Sequence, residues 1–342
     1  MKKLTLLVIL LSLFVTQCTK PVEEGSEQEK KVDFALVIHG GAGTITRDNM
    51  SPEMEKAYTA KLTEALNKGY EILNESGSSL DCVVEVIKVM EDSPLFNAGK
   101  GAVFTSNGIN ELDASIMDGE TLNAGSVARL TRIKNPITLA RFVMDSSKHV
   151  MMVGTGAEQF AEASGFKMVD PSYFYTERRM ESLKRVQARE AGKDQAMLLY
   201  PDDTKFGTVG CAALDKDGNL AAGTSTGGIT NKKFGRVGDA PLIGAGTYAN
   251  NNTCAISATG DGEFFIRNMV AYDIAAMMEY KGLSIDEAAD ISINQKVEAM
   301  NAGGGVIGID KYGNITLTFN TEGMYRGYIT DEGTPTVLIY KN

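Results

Sequence analysis

The segment from Gly207 to Gly228 constrains the fold more than any other part of this 342-residue chain. Small apolar residues flank Asp217-Gly218-Asn219 on both sides, and Gly and Asn tolerate the positive φ that a tight hairpin turn requires. The pattern predicts two antiparallel strands, with Thr208 at the start of the first and Thr226 at the end of the second. Both hydroxyls should therefore meet at one end of the hairpin.

A second hairpin is predicted over 305–319, where an Asp-Lys-x-Gly-Asn turn resembles the first one. Hairpins and helices in one chain predict an α+β fold with antiparallel sheets covered by helices. Short strands are also predicted over 34–38, 244–248 and 253–259. Apolar residues at helical spacing predict helices over 51–74, 79–91, 136–145, 157–163, 175–191, 264–280 and 284–300, of which 175–191 should be a solvated charged helix.

Charge and residue usage exclude several classes of function. The formal charge of −10, from 44 acidic and 34 basic residues, would repel nucleic acid over most of the surface. The two histidines, His39 and His149, offer little to zinc catalysis or to a Ser/His triad, and both are expected to be satisfied or surface imidazoles. Cysteines 82, 211 and 254 lack the spacing of a disulfide framework, which predicts buried thiols.

The first 18 residues have the plan of a bacterial export signal. Lys2 and Lys3 precede an apolar run from Leu4 to Val15, and the following Cys18 ends a sequence that resembles a lipoprotein cleavage box. Residues 19–32 are rich in charged and small residues and predict a flexible tether. We therefore expect an exported protein, in the bacterial periplasm or anchored to a membrane by lipid at Cys18.

A glycine-rich segment, His39 to Thr44, follows the first predicted strand. Such a loop can cradle a phosphate, but the lysine and the serine or threonine of a Walker motif are missing. A nucleotide site is therefore the weaker interpretation. The stronger one is an irregular, closely packed turn near the functional site.

Thr208 suits a particular form of nucleophilic catalysis. A threonine hydroxyl needs an adjacent base, and its own α-amino group, with a pKa of about 7.7 to 8.0, can serve if the preceding peptide bond is cut. Gly207 lacks a side chain and allows the strained backbone that such a cut requires. The pair Gly207-Thr208 thus predicts self-cleavage.

Several motifs in order resemble the plant-type asparaginases and isoaspartyl peptidases, which are threonine N-terminal nucleophile hydrolases. The resemblance implies a four-layer αββα sandwich, and one amidohydrolase domain over 33–342 that cleaves itself into an α chain ending at 207 and a β chain of 208–342. The resemblance extends from about Ala35 to Tyr328. The motifs are His39-Gly40-Gly41-Ala42-Gly43, Pro94-Leu95-Phe96-Asn97-Ala98-Gly99, Tyr175-Thr176-Glu177-Arg178-Arg179, Gly207-Thr208-Val209-Gly210, Thr224-Ser225-Thr226-Gly227-Gly228, Gly235-Arg236-Val237-Gly238-Asp239 and Phe319-Asn320-Thr321-Glu322-Gly323-Met324.

The resemblance also implies roles for individual residues. Thr208 would attack the amide carbonyl, and Thr226 would bond to it and steady its protonation. Arg236 would hold the α-carboxylate of the substrate, which suits a planar guanidinium, and Asp239 would receive its α-ammonium. On residues alone, Arg236 and Asp239 could equally be a surface ion pair.

Further residues complete the implied site. Thr259 and Gly260 would form the oxyanion hole, Gly260 and Gly262 would line the substrate, and Asn97 would support Thr208. No cofactor is expected other than a structural sodium ion. Its implied ligands are the backbone carbonyls of Met90, Glu91, Ser93, Phe96, Ala98 and Lys100.

The implied substrates are small molecules, namely β-aspartyl (isoaspartyl) dipeptides and asparagine. The resemblance also implies a homodimer of αβ units. Two alternatives remain open. One is a glycosylasparaginase-like hydrolase, which Thr226-Gly227-Gly228 disfavours. The other is an envelope binding protein of the same fold, anchored at Cys18, that never cleaves itself.

Overall fold

The computed structural model describes residues 32–192 and 207–341. The predicted export signal, the tether up to residue 31 and the lipidation site Cys18 therefore lie outside the described residues, as does the segment 193–206. Within the described ranges, no helix is long and apolar enough to cross a membrane. Cysteines 82, 211 and 254 are free and buried, which confirms the prediction of buried thiols.

Twelve strands form two sheets in the described part of the chain. They are β1 Ala35–Gly43, β2 Leu112–Asp118, β3 Ala124–Leu130, β4 Met151–Val153, β5 Val209–Leu214, β6 Leu220–Thr226, β7 Thr247–Ala249, β8 Cys254–Gly260, β9 Gly304–Asp310, β10 Ile315–Thr316, β11 Gly323–Thr330 and β12 Thr336–Tyr340. The larger sheet has the order β12-β11-β1-β5-β6-β2-β3-β4, and the smaller has the order β10-β9-β8-β7. Neighbouring strands are antiparallel, except that β3 and β4 are parallel.

The helices begin where the sequence offers caps. Ser51 accepts a hydrogen bond from the amide of Met54, and Ser78 accepts one from Asp81, so each serine satisfies an amide of the first turn. The helices are α1 Pro52–Asn74, α2 Ser79–Glu91, α3 Pro136–Ser146, α4 Gly154–Ala163, α5 Glu177–Glu190, α6 Gly262–Asn268, α7 Val270–Lys281 and α8 Ile285–Asp290.

Three hydrophobic cores separate four layers. Helices α1 to α3 cover the larger sheet over a core that includes Leu36 and Leu62. Helices α6 to α8 cover the smaller sheet over a core that includes Ile256 and Ile274. The inner faces of the sheets meet through a third core with many small residues, such as Ala212. The predicted α+β fold, an αββα sandwich, is confirmed.

Both predicted hairpin turns form by the same device. The Asp215 carboxylate accepts hydrogen bonds from the amides of Asp217 and Asn219, at 3.1 and 2.8 Å, and Gly218 has a φ of 84°. The turn that begins at Asp310 makes the equivalent bonds. An aspartate that accepts from its own turn therefore explains why this pattern appears twice.

The segment His39–Thr44 is not the irregular turn that the sequence predicted. Strand β1 continues through Gly43 because the backbone of this segment pairs with β11. A bulge between His39 and Gly41 absorbs the glycine-rich stretch, and Gly41 has a φ of 107°. The glycines thus bend a strand and do not end it.

The prediction of a single helix over 264–280 was also wrong. Met269, with a φ of 49°, separates α6 from α7. The amides of Ala271 and Tyr272 donate to the carbonyls of Ala245 and Gly244, so a neighbouring loop replaces the bonds that a continuous helix would make. This partner lies far along the chain, and the helical spacing of apolar residues carries no sign of it.

Two other helix predictions need correction. The helix predicted over 284–300 is α8 followed by a π-helical segment, Ile291–Val297, and a short 3-10 turn. Helix α5 is not wholly solvated, because Arg179 is buried and its Nε donates to the carbonyl of Gly101 at 2.8 Å.

Candidate active site

Thr208 and Thr226 meet as the hairpin predicted. Thr208 immediately precedes β5, Thr226 ends β6, and the register pairs Val209 with Ser225. The two hydroxyl oxygens are 2.9 Å apart. The Thr226 hydroxyl also accepts from the amide of Gly228 at 3.0 Å, which leaves its proton available for the oxygen of Thr208.

The Gly207 carbonyl, which precedes Thr208, is held by a backbone donor. The amide of Asn97 donates to it at 2.7 Å. A side chain at Gly207 would collide with this amide, and one at Gly41 would collide with the backbone of Gly207. Gly207 has a φ of 115°, a conformation that favours glycine. The bond before Thr208 is therefore tightly enclosed by glycines, with its oxygen on a hydrogen-bond donor.

Asn97 also organises the loop after Thr226. Its side-chain amide donates to the Gly228 carbonyl at 2.6 Å, and its own carbonyl accepts from Gly227 at 2.9 Å. Its side-chain oxygen accepts from Val103. Asn97 thus bonds to the glycine before Thr208 and to the two glycines after Thr226.

His39 lies beside Thr208, and the sequence analysis did not assign it to the site. Its Nδ1 is 3.1 Å from the Thr208 carbonyl, which can only accept, so Nδ1 carries the proton. Its Nε2 is 2.9 Å from the hydroxyl of Ser257 on β8. Burial lowers the pKa of His39 to about 3, so the imidazole is neutral and anchors the backbone of Thr208. Gly210 leaves room for the ring.

Arg236 has a carboxylate partner that the sequence did not reveal. Its Nε and Nη2 donate to the two oxygens of Glu263, each at 2.8 Å. The guanidinium is largely buried, and the hydrogen bonds to Glu263 raise its pKa against the effect of burial. Glu263 therefore fixes the plane of the guanidinium.

Asp239 is buried, and its Oδ2 has no hydrogen-bond partner in the described structure. Burial raises the pKa of Asp239 to about 7, although Arg236 acts in the opposite direction. A Cβ at Gly262 would lie 2.8 Å from both Asp239 Oδ1 and Arg236 Nη2. The structure thus brings Arg236, Asp239 and Gly262 together, and an unpaired buried carboxylate oxygen is left for a cationic group.

Thr259 and Gly260 end β8, two and three residues beyond Ser257. Thr259 is buried, and Gly260 pairs with Gly304 on β9 so closely that a side chain would not fit. The contact of Ser257 with His39 brings this strand against the Thr208 strand. The amide of Asp261 already donates to the Gly303 carbonyl, so this amide is not among the donors expected for an oxyanion hole at the end of β8.

A buried lysine lies behind the Thr226 loop and was also missed. The ammonium of Lys232 donates to the Glu111 carbonyl at 3.0 Å and lies 3.8 Å from Asp113 Oδ2. A Cβ at Gly228 would be 3.1 Å from its Nζ. Burial lowers the pKa of Lys232, while the two carboxylates favour its charged form. Lys232 therefore connects the loop to β2.

The described residues contain no group of three or more His, Cys, Asp or Glu side chains that could hold a metal ion. Backbone carbonyls are a different kind of ligand. In the loop after α2, a side chain at Gly99 would collide with the Glu91 carbonyl, and one at Gly101 would collide with the Phe96 carbonyl. Each of these two carbonyls therefore lies against a glycine that cannot be replaced by a residue with a side chain.

A layered αββα sandwich with a threonine at the start of a central strand is the arrangement of an N-terminal nucleophile hydrolase. The sequence model of the asparaginase family matches residues 32–339, which is nearly the whole described part of the chain. The chain belongs to the asparaginase family.

Relatives from distant organisms support this assignment over most of their length. The chain is 50% identical over 309 residues to the isoaspartyl peptidase of Escherichia coli (strain K12). This alignment covers 90% of this chain and 96% of that protein. It is 40% identical over 331 residues to the probable isoaspartyl peptidase/L-asparaginase 2 of Arabidopsis thaliana, with 90% and 99% covered. It is 39% identical over 293 residues to the isoaspartyl peptidase/L-asparaginase of Rattus norvegicus, with 86% and 85% covered.

Proposed function

We propose that this protein is an isoaspartyl peptidase with asparaginase activity, which cleaves itself between Gly207 and Thr208. The observation that carries the proposal is the 2.9 Å contact between the hydroxyls of Thr208 and Thr226, at a bond whose carbonyl is held by Asn97. The names of the relatives support the substrate class.

Self-cleavage begins with attack of the Thr208 hydroxyl on the Gly207 carbonyl carbon. The amide of Asn97 stabilises the oxygen as its negative charge develops. The carbon–nitrogen bond breaks, the nitrogen takes the hydroxyl proton, and an ester joins Gly207 to the Thr208 oxygen. Water then hydrolyses the ester, which leaves a carboxylate on Gly207 and a free amine and hydroxyl on Thr208.

In turnover, the new amine removes the proton from the Thr208 hydroxyl as the oxygen attacks the β-carbonyl of the substrate. Arg236 holds the α-carboxylate and Asp239 the α-ammonium, so the carbonyl is presented to the nucleophile. The leaving amine departs with the proton, and water hydrolyses the aspartyl ester to aspartate. Amide plus water thus gives aspartate plus amine, and Thr208 is regenerated.

The proposal is tested by an intact-mass measurement on the purified protein together with a denaturing gel. We expect two fragments, the second beginning at Thr208. A full-length chain that hydrolyses substrate without being cut would overturn the proposed mechanism.

The substrate is tested by comparing aspartate release from a β-aspartyl dipeptide, asparagine and a glycosylasparagine. We expect the first two to be hydrolysed and the third to react slowest. Preference for the glycosylasparagine would favour the alternative hydrolase, and release from none of them by a cut protein would favour a binding protein.

Asp239 gives the proposal a specific pH dependence. Its pKa is about 7, so its charged form, which binds the substrate ammonium, is lost as the pH falls below 7. We expect KM to rise roughly fivefold between pH 7 and pH 6, as a single ionisation requires. Protonation of the Thr208 amine lowers kcat instead, so steady-state kinetics over pH 5.5–8.5 separates the two groups.

Asp239→Asn is the matched variant for this measurement. It keeps the shape of the side chain but cannot ionise, so its KM should be high and independent of pH. A KM in Asp239→Asn that still rises on acidification would show that another group titrates.

We also propose that the carbonyls of Met90, Glu91, Ser93, Phe96, Ala98 and Lys100 hold a sodium ion with a structural role. The Glu91 carbonyl lies against Gly99 and the Phe96 carbonyl against Gly101, and carbonyl oxygens are ligands that a hard cation takes, which supports this. An ion that binds only the folded state stabilises it, so exchanging sodium chloride for choline chloride should lower Tm by about 2 to 5 °C. Differential scanning calorimetry at constant ionic strength measures this, and equal Tm values in both salts would contradict it.

For the segments outside the described residues we propose export directed by residues 1–18 and lipid attachment at Cys18. We further propose a homodimer of αβ units. The intact mass of the α fragment from bacterial membranes tests the lipid, and light scattering of the purified protein tests the dimer.

A further inference from the structure

Four buried hydroxyls form a continuous column between the two sheets. They belong to Ser115 on β2, Thr224 on β6, Thr247 on β7 and Ser257 on β8, and all four residues are buried. Strands β2 and β6 lie in the larger sheet, whereas β7 and β8 lie in the smaller one. The hydroxyl column therefore crosses the layer in which the inner faces of the sheets meet.

The hydroxyl column reaches Thr208 through His39. Because Nδ1 of His39 donates to the Thr208 carbonyl, Nε2 must accept, and the Ser257 hydroxyl is its donor at 2.9 Å. The proton of Ser257 is then used, so the 2.6 Å contact between the hydroxyls of Ser257 and Thr224 carries the proton of Thr224. This contact supports the tautomer of the imidazole that holds the backbone of Thr208.

The other two hydroxyls donate in the same direction. Thr247 donates to the hydroxyl of Thr224 at 2.6 Å, and Ser115 donates to that of Thr247 at 2.8 Å. Thr247 and Thr224 thus each accept from the hydroxyl behind and donate to the one ahead. Removing one of them leaves a buried neighbour without its partner, which costs more than the hydrogen bond alone.

The far end of the hydroxyl column contacts the backbone around Asp239. Ser115 also donates to the Ala240 carbonyl at 2.6 Å, and Thr224 to the Gly246 carbonyl at 3.0 Å, as three-centre bonds allow. Gly246 packs directly on Asp239, since a Cβ there would lie 2.5 Å from the Asp239 carbonyl oxygen. Against the effect of burial, a hydrogen bond from the amide of Ala240 lowers the pKa of the Asp239 carboxylate. The column therefore joins the backbone of the nucleophile to that of Asp239.

We propose that the hydroxyl column sets the distance between Thr208 and Asp239, and that its four members are positioning residues that fit the site to an aspartyl amide and against a glutamyl amide. The inference rests on the proposed function and deepens it. Asparagine and glutamine carry the same α-ammonium and α-carboxylate but differ by one methylene before the reacting carbonyl. If Arg236 and Asp239 hold the shared end, only one of the two carbonyls can lie at the Thr208 oxygen.

Thr224→Val tests the hydroxyl column, because valine keeps the shape of threonine but neither donates nor accepts. Measured per cut chain, kcat/KM for asparagine should fall about tenfold, since a misplacement of about 1 Å can cost a hundredfold. For glutamine, whose carbonyl is already misplaced, it should fall less than about twofold. The asparagine-to-glutamine ratio therefore falls, whereas a loss of folded enzyme would lower both rates equally.

Two variants serve as controls. Thr224→Ser keeps the hydroxyl and should keep the ratio of the parent. Thr316→Val removes a buried hydroxyl outside the column, on β10, which contacts the hydroxyl of Thr318 at 2.9 Å. This variant should also keep the parent ratio.

Ser115→Ala tests the end of the hydroxyl column at Asp239. It removes the contact with the Ala240 carbonyl but none of the contacts of His39. KM for asparagine should therefore rise about fivefold, as for one buried hydrogen bond, and kcat should change less than about twofold. Steady-state kinetics on the cut protein measures both constants.

An unchanged asparagine-to-glutamine ratio in Thr224→Val, or an equally large loss in Thr224→Ser, would overturn the positioning role and leave the isoaspartyl peptidase function standing. If Thr224→Val is not cut, Ser115→Ala decides the question, and a parent KM in that variant would overturn the role. A cut parent that hydrolyses neither asparagine nor a β-aspartyl dipeptide would overturn the proposed function itself.

Discussion

Replacing Thr208 by alanine is expected to leave the chain uncut and to reduce amide hydrolysis at least about a thousandfold. The variant removes the hydroxyl that attacks the Gly207 carbonyl, and without the cut it also lacks the α-amine that serves as the base. One residue thus supports both reactions. A denaturing gel, the intact mass and a timed assay of aspartate release measure the three effects.

The matched control is Thr138→Ala. Thr138 is half-buried, as Thr208 is, and its hydroxyl bonds only locally, to the Asn135 carbonyl. This variant should be cut and active. A Thr208→Ala protein with the far-ultraviolet circular dichroism of the parent that still releases aspartate would refute the assignment of the nucleophile.

Replacing Arg236 by lysine should lower kcat/KM by about a hundredfold, with most of the change in KM. Lysine keeps the charge but loses the planar, two-pronged geometry that a carboxylate requires, and each charged hydrogen bond contributes about 1.5 to 3 kcal/mol. Self-cleavage should continue, because the Gly207 carbonyl is held by Asn97. Steady-state kinetics and a gel on the same sample separate binding from maturation.

Arg141→Lys on α3 provides the comparison. Arg141 also contacts two carboxylates, those of Asp145 and Asp81, but lies on the helical layer. Its kinetics should match those of the parent. If Arg236→Lys binds substrate with the parent KM, then Arg236 is only the partner of Glu263 and another group holds the α-carboxylate.

The parts of the site that the sequence predicted are those formed by local contacts. The turn at Asp215 depends on amides two and four residues away, and the hairpin it closes brings Thr208 and Thr226 together. That Arg236 and Asp239 act together near Gly262 was implied by the family resemblance, since a spacing of three on a loop is also that of a surface ion pair.

The residues that the sequence did not reveal act through long-range contacts. His39 reaches Thr208 from a strand 169 positions earlier, and Lys232 reaches Glu111 across 121 positions. Only the assembled sheets bring these groups together. A buried histidine and a buried lysine are individually ambiguous in a sequence, because the same residue types are common on surfaces.

The order of strands in the larger sheet determines what becomes of the two fragments after the proposed cut. Strands β1 to β4 belong to the first fragment, whereas β5, β6, β11 and β12 belong to the second. In space β1 lies between β11 and β5, and β6 lies next to β2, so three borders of the sheet join one fragment to the other. Separation would break the backbone hydrogen bonds along all three. The cut protein should therefore elute as one particle from a native sizing column and unfold in a single transition, although a denaturing gel shows two bands.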